Sequence, residues 1–166
     1  MKCCFTGHRP NKFPWKSEDD IRCKKFKERL LQEIEDLLKQ GFDYFYCGMA
    51  LGVDLYCAEC LIALKDKYEF SIECAIPCKG QTKYWSLKDK FRYKKVLDVA
   101  SKITILSEHY SPFVMLNRNR YMVDNSELVL AVWDGKAQGG TYFTVNYARE
   151  KEVKVKIINI NDYSNS

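Results

Sequence analysis

The sequence predicts an α/β fold: a single doubly wound, Rossmann-like domain over residues 1–166, with a mostly parallel six-stranded sheet and helices on both faces. Three observations predict it. Short apolar runs alternate strictly with segments of helical period. The run Leu128–Trp133 is apolar without interruption, as in a strand buried on both faces of a parallel sheet. The turn-forming residues are placed asymmetrically, since all four prolines and seven of the eight glycines follow strands and only Gly41 precedes one. Ligands of open α/β sheets bind outside the carboxyl ends of the strands, so that edge is the expected site.

The elements follow in order. Lys2 to Thr6 reads as the first strand. Ser17, with Asp20 three residues on, forms a capping-box-like start to the first helix. Leu30, Leu31, Ile34, Leu37 and Leu38 supply its apolar stripe, and Gly41 stops it. Tyr44 to Cys47 is the second strand and Leu51 to about Lys67 the second helix. Phe70 to Ile76 is the third strand, ended by Pro77, and Trp85 to about Ala100 the third helix. Ile103 to Leu106, Phe113 to Asp124, and Leu128 to Trp133 are strand, helix and strand. Gly140 to Lys151 and Val155 to Ile160 complete the pattern as helix and strand.

Composition bounds the class. Hydrophobic residues are 46% and charged residues 30% of the 166, which excludes a disordered or low-complexity chain. The longest uncharged apolar runs are too short to cross a bilayer, and Met1 to Phe5 lacks a secretory apolar region, so a cytoplasmic protein without a membrane partner is expected. Reduced cysteines then read as small core hydrophobes. The spacing Cys57-x-x-Cys60 with Cys74-x-x-x-Cys78 is the one pattern open to zinc, but it falls on a helix and a strand end rather than on paired turns, and no metal site is expected. The net charge of +5 is concentrated: Lys79 to Lys95 holds seven basic residues against Asp89. Tyr84, Trp85, Phe91 and Tyr93 are interleaved with them. Such a segment can track a nucleic-acid backbone, but an amphipathic helix with a solvated basic face and a buried aromatic face is the favoured reading.

Four constellations carry chemistry. Thr6-Gly7-His8-Arg9-Pro10 follows the first strand; Gly7 allows close ligand approach, and Arg9 offers a planar fork to phosphate. Gly48-Met49-Ala50-Leu51-Gly52-Val53-Asp54 spans a strand exit and a helix start, where backbone N–H groups can face an anion. Asp134-Gly135 leads to Gly139-Gly140-Thr141 and Thr144, a diglycine nest opening a helix and the strongest phosphate candidate. Arg118, Asn119 and Asp124 lie on the fourth helix, which alone would read as a salt-bridged surface helix; Asn119, Asp124 and Asp134 are the candidates for ribose or base contacts.

Taken together, TGHRP, GMALGVD, the Pro77…Gln81…Trp85 segment, RNRYMVD, AVWDG and GGTYFT resemble, nearly end to end, the SLOG superfamily. That Rossmann-like group includes the DNA-processing protein Smf/DprA and the Lonely Guy phosphoribohydrolases, and the chain resembles its small bacterial YpsA-like branch more closely than either. The resemblance implies a pocket for a nucleotide or a derivative such as NAD or ADP-ribose, with phosphate on the glycine-rich turn. It also implies homodimerisation and, through Smf/DprA, nucleic acid as a less favoured partner. No cofactor is required. The phosphoribohydrolase branch carries G-G-x-G-T-x-x-E, whereas this chain has Thr144 at the acidic position. Threonine cannot act as a general base near neutral pH. If the N-glycosidic bond of a nucleotide is cleaved, Asp54, Glu108, Asp124 or Asp134 could supply the carboxylate from another position. The expected function is therefore phosphate-ligand binding, sensory or regulatory, with N-glycosidase activity as the alternative.

Overall fold

The structure is a computed structural model and describes residues 1–165. Six strands form one all-parallel sheet: β1 (Lys2–Gly7), β2 (Tyr44–Cys47), β3 (Ser71–Ile76), β4 (Lys102–Ile105), β5 (Leu128–Trp133) and β6 (Lys154–Asn159). Their order is β4-β3-β2-β1-β5-β6. Five helices connect them: α1 (Ile21–Lys39), α2 (Val53–Leu64), α3 (Leu87–Val99), α4 (Val114–Asp124) and α5 (Gly139–Glu150). The doubly wound α/β prediction holds. The chain runs outward from β1 in one direction through β4, then returns to start β5 on the other side of β1. The carboxyl ends of β1 and β5 therefore flank the switch point, with Gly7 opposite Val132.

Strand alternation divides the core. Cys3, Phe5, Phe45, Cys47, Leu128, Leu130 and Val132 face α1 and α2, where Leu30, Ile34 and Leu37 are buried. Cys4, Tyr46, Val129, Ala131 and Trp133 face the other way, onto Met122 and Val123 of α4 and Val145 and Ala148 of α5. This period of two, with both sets buried, is why β5 carries no polar residue. All eight cysteines are buried and free, matching their reading as core residues. Among the described residues, no helix is long and apolar enough to cross a membrane.

Helix starts differ from expectation in informative ways. The first helix is capped by Asp20, whose carboxylate accepts from Arg22 N–H at 2.9 Å, not by Ser17. Ser17 instead builds the preceding turn, accepting Asp19 N–H on its hydroxyl and Asp20 N–H on its carbonyl. Two capping residues three apart compete, and the one adjacent to the apolar stripe wins. The second helix starts at Val53 rather than Leu51, because Gly52 takes a φ of +92° and cannot be helical. On α3 the expected buried aromatic face is only half present: Trp85 and Tyr93 pack against the core, whereas Phe91 and Tyr84 point to solvent.

Candidate functional site

The backbone at the exits of β1 and β2 is shaped for close approach. Gly52 is positioned so that a Cβ would lie 2.6 Å from the carbonyl oxygen of His8, so only glycine lets these two loops meet. Met49 is buried with a φ of +61°, an uncommon conformation for a residue with a side chain, and the kind of strain that clusters at functional sites. Gln81, arriving from the loop after β3, donates to the carbonyls of Gly48 (3.4 Å) and Met49 (3.2 Å) and holds the turn.

Behind Gly48 lie two buried charges. Arg118 of α4 is 4% exposed and Asp54 of α2 is 6% exposed. A Cβ on Gly48 would sit 2.6 Å from Arg118 Nη1 and 2.7 Å from Asp54 Oδ2, so the glycine makes room for both. The guanidinium donates from Nε to Asn119 Oδ1 at 2.8 Å, from Nη1 to the Gly48 carbonyl, and from Nη2 to the Met115 sulfur at 3.8 Å. Among the described residues, no carboxylate oxygen lies within 4.0 Å of it. Asp54 Oδ2 accepts Ala50 N–H at 3.2 Å. Burial pushes the Asp54 carboxyl up from its usual range, against the pull of Arg118, and pushes Arg118 down from its own, against the pull of Asp54. Buried charges without a directly paired counter-charge are costly. Here they face a shared space.

That space is a hollow of about 90 Å³, lined by Thr6, Arg9, Asp54, Arg118, Asn119 and Thr141 among others, with Gly7 and Gly140 at its wall. It adjoins a hollow of about 340 Å³ in which Arg9, Ala50 and Met115 are shared and Gln81, Trp85 and Asn11 are added. Gly139 and Gly140 open α5 and are solvent-exposed, and Asn119 Nδ2 is 4.0 Å from where a Gly140 Cβ would be. Arg9 is exposed at the mouth. The small inner space matches a phosphate-sized anion, and the wider outer one has an aromatic ring and hydrogen-bonding side chains.

His8 ties this site to the β5 exit. Its Nε2 accepts Asp134 N–H at 3.1 Å and lies 3.4 Å from the Asp134 carboxylate. Burial lowers its pKa from the ordinary 6.5, outweighing the opposing pull of Asp134, so the ring is neutral in the fold. As pH falls, the unfolded chain takes up this proton first; stability is complete above 6.5 and is lost as pH drops towards the lower folded value. Urea midpoints should therefore fall between roughly pH 7 and pH 5, and His8→Gln should remove part of that slope. Equal slopes for the two proteins would refute the assignment.

The structure brings together Thr6, Gly7, Arg9, Asp54, Arg118, Asn119, Gly140 and Thr141 around one hollow, with Gly48 as its spacer, Gly52 beneath and Gly139 adjoining. Asp134 stands at its β5 side through His8, and Gly135 follows it in the exposed loop. Three candidates fall outside. Asp124 ends α4 at the opposite edge of the sheet and accepts from Tyr147 Oη at 2.8 Å. Glu108 is exposed and pairs with Lys79 at 2.6 Å. Thr144 is fully buried, its hydroxyl donating to the Gly140 carbonyl at 2.9 Å, one turn back along α5. Met115 and Leu116 line the hollow without having been singled out from the sequence; Met115 sits one helical turn before Arg118, which is the only signal that could have found it. Among the described residues, no group of three or more His, Cys, Asp or Glu side chains is placed to hold a metal ion.

Comparison with known proteins places these features in a lineage. The model of the YspA SLOG family matches residues 3–163. The SPbeta prophage-derived protein YoqJ of Bacillus subtilis is 37% identical over 140 residues, covering 76% of this chain and 81% of that one. The UPF0398 protein YpsA of Bacillus subtilis is 24% identical over 150 residues, covering 89% and 83%. Among solved structures, DNA processing protein A from Helicobacter pylori, described for its single-stranded DNA binding mode, superposes with a TM-score of 0.59 at 19% identity. The match covers 95% of this chain and 64% of that longer one, and at this identity it shows the fold alone.

Proposed function

The chain belongs to the YspA SLOG family, and from that premise we propose that it binds a small nucleotide-like ligand at the switch point, with a phosphate of that ligand on Arg118. One observation carries the reading: a guanidinium 4% exposed, without a carboxylate in reach, lining a hollow with Arg9 at its mouth. A buried arginine in that state is stabilised by a ligand anion, and its fork suits phosphate bidentately. Thr141 and the backbone N–H groups opening α5 supply further donors from the opposite wall. The nucleoside part extends into the wider hollow, where Trp85, Met115 and Gln81 can contact a base, as in NAD, ADP-ribose or a nucleoside monophosphate.

Binding without turnover is favoured over N-glycosidic hydrolysis. Thr144 holds the position of the phosphoribohydrolase acid, and Asp124 and Glu108 lie away from the hollow. Asp54 is the carboxylate that remains, and it already accepts Ala50 N–H beside Arg118. The single-stranded DNA named for the Helicobacter protein supports nucleic acid as a second reading, in which a polymer's phosphate would enter the same cleft. Calorimetry against nucleoside monophosphates, NAD and ADP-ribose tests the first. Micromolar to millimolar binding is expected, weakened about 100-fold or more by Arg118→Gln, the loss of a charge-assisted pair. No binding at millimolar ligand, or equal binding by the variant, would overturn it; release of free base, followed chromatographically, would move the reading to hydrolysis.

A further inference from the structure

The segment before and along α3 contributes Gln81 and Trp85 to the cleft and leaves an outer face with no part in it. That face is unlike an ordinary solvated helix. Tyr84 is 90% exposed, Leu87 85% and Phe91 64%. Leu87 and Phe91 are one turn apart and share a side of the helix. Of the seven basic residues here, three are neutralised: Lys79 by Glu108, Arg92 by Glu18 and Glu59, and Lys94 by Asp98. Among the described residues, no carboxylate oxygen lies within 4.0 Å of Lys83, Lys88, Lys90 or Lys95. Asp89 is engaged by Ser86 and Arg92. Four uncompensated ammonium groups therefore surround exposed rings. Lys83 Nζ lies 5.3 Å from the Tyr84 ring centroid, and Lys95 Nζ 5.5 Å from that of Phe91. Lys88, Phe91 and Lys95 also line a groove of about 430 Å³ with Ile62, Ala63 and the Glu59–Arg92 ion pair.

We infer that this face of α3 is a docking surface for single-stranded nucleic acid. The ammonium groups meet successive phosphates, and Phe91 and Tyr84 offer stacking platforms to unpaired bases. The pairing of each ring with an adjacent cation selects this partner: a base and its phosphate are joined in the same way. A run of Asp and Glu offers charge but no flat rings. A duplex keeps its bases stacked on one another and leaves Tyr84 and Phe91 in water. Lys88 and Lys95, seven residues apart, lie about 10 Å apart along the helix, so one strand can span both. The surface stands apart from the Arg118 hollow and does not depend on which ligand that hollow takes.

Fluorescence anisotropy of the full chain with a labelled oligothymidylate of about 12 nucleotides tests it, a length within the range single-strand sites cover. If four lysines each meet a phosphate, raising salt from roughly 50 to 200 mM weakens binding about 50-fold. The double substitution Lys88→Glu with Lys95→Glu should cut that salt effect to about 7-fold as well as weaken binding. Tyr84→Ala with Phe91→Ala, at about 1 kcal/mol or more for each ring, should weaken binding about 30-fold or more while leaving the salt effect intact. All four positions are exposed, and circular dichroism checks that the variants stay folded. The inference is overturned by absent or salt-insensitive binding. It is equally overturned if the variants bind as wild type does, or if duplex or polyglutamate competes as well as the single strand. Failure here leaves the calorimetry of the cleft unaffected, and the reverse also holds.

Discussion

Gly48→Ala should weaken ligand binding about 100-fold while leaving the protein folded. The added methyl would lie 2.6 Å from Arg118 Nη1, 2.7 Å from Asp54 Oδ2 and 2.8 Å from Arg118 Cζ. These are far ends of side chains, not backbone, so they can move aside. Moving aside is what destroys the site, because the guanidinium must leave the Gly48 carbonyl and turn towards the hollow or out of it. An affinity loss of about 100-fold, near 3 kcal/mol, is expected for the nucleotide-like ligand. Gly48 has no positive φ, so alanine pays no backbone penalty and the thermal midpoint should change little. A variant that binds normally would show that Arg118 is a structural residue and the hollow is not the ligand site.

Gly52→Ala should act on stability instead, lowering it markedly while the protein still folds. Its φ of +92° is strained for any residue with a Cβ, and its methyl would meet the His8 carbonyl oxygen at 2.6 Å and Arg9 Cα at 3.1 Å. These neighbours are backbone, tied to β1, and cannot yield without moving the first strand's exit. The conformational and steric terms together should destabilise by about 3 kcal/mol. Urea denaturation measures it; a loss below about 1 kcal/mol would mean that the two loops separate freely. The two glycines stand four residues apart in one motif, yet alanine at one is expected to affect binding and at the other stability.

Sequence and structure part company along that motif and along α4 for identifiable reasons. The β-strands, their parallel arrangement and a hollow at the carboxyl edge were legible because strand burial and turn chemistry leave direct marks: Leu128–Trp133 is apolar throughout, and the glycines cluster after strands. What periodicity cannot resolve is which end of a helix a polar residue serves. Arg118 and Asp124 lie on the same helix and both are charged. Only the chain's return to the opposite edge of the sheet separates them, placing Arg118 in the hollow and Asp124 on Tyr147. Taken alone, the fourth helix suggested a solvated, salt-bridged surface; Arg118 is buried instead because Gly48 leaves room for it, a pairing 70 residues apart in sequence. Thr144 was legible as a departure from the hydrolase pattern, and its hydroxyl is spent within its own helix. The exposure of Phe91 was not legible, since the same spacing describes a buried stripe.

The sequestered thiols turn the molecule into its own opening gauge. Burial pushes Cys4, Cys60 and Cys74 up to about 12, and Cys3, Cys47 and Cys57 well above their ordinary value. Alkylating reagents attack the thiolate, which is nearly absent in the native state near neutral pH. Modification then proceeds through transient unfolding, and its rate reports the population of opened molecules. Cys47 immediately precedes Gly48, and Cys57 lies three residues beyond Asp54, so both sit on the segments that build the hollow. A ligand seated against Arg118 should slow their alkylation as it fills the site, giving a titration of an unknown ligand from peptide masses that resolve Cys47 and Cys57.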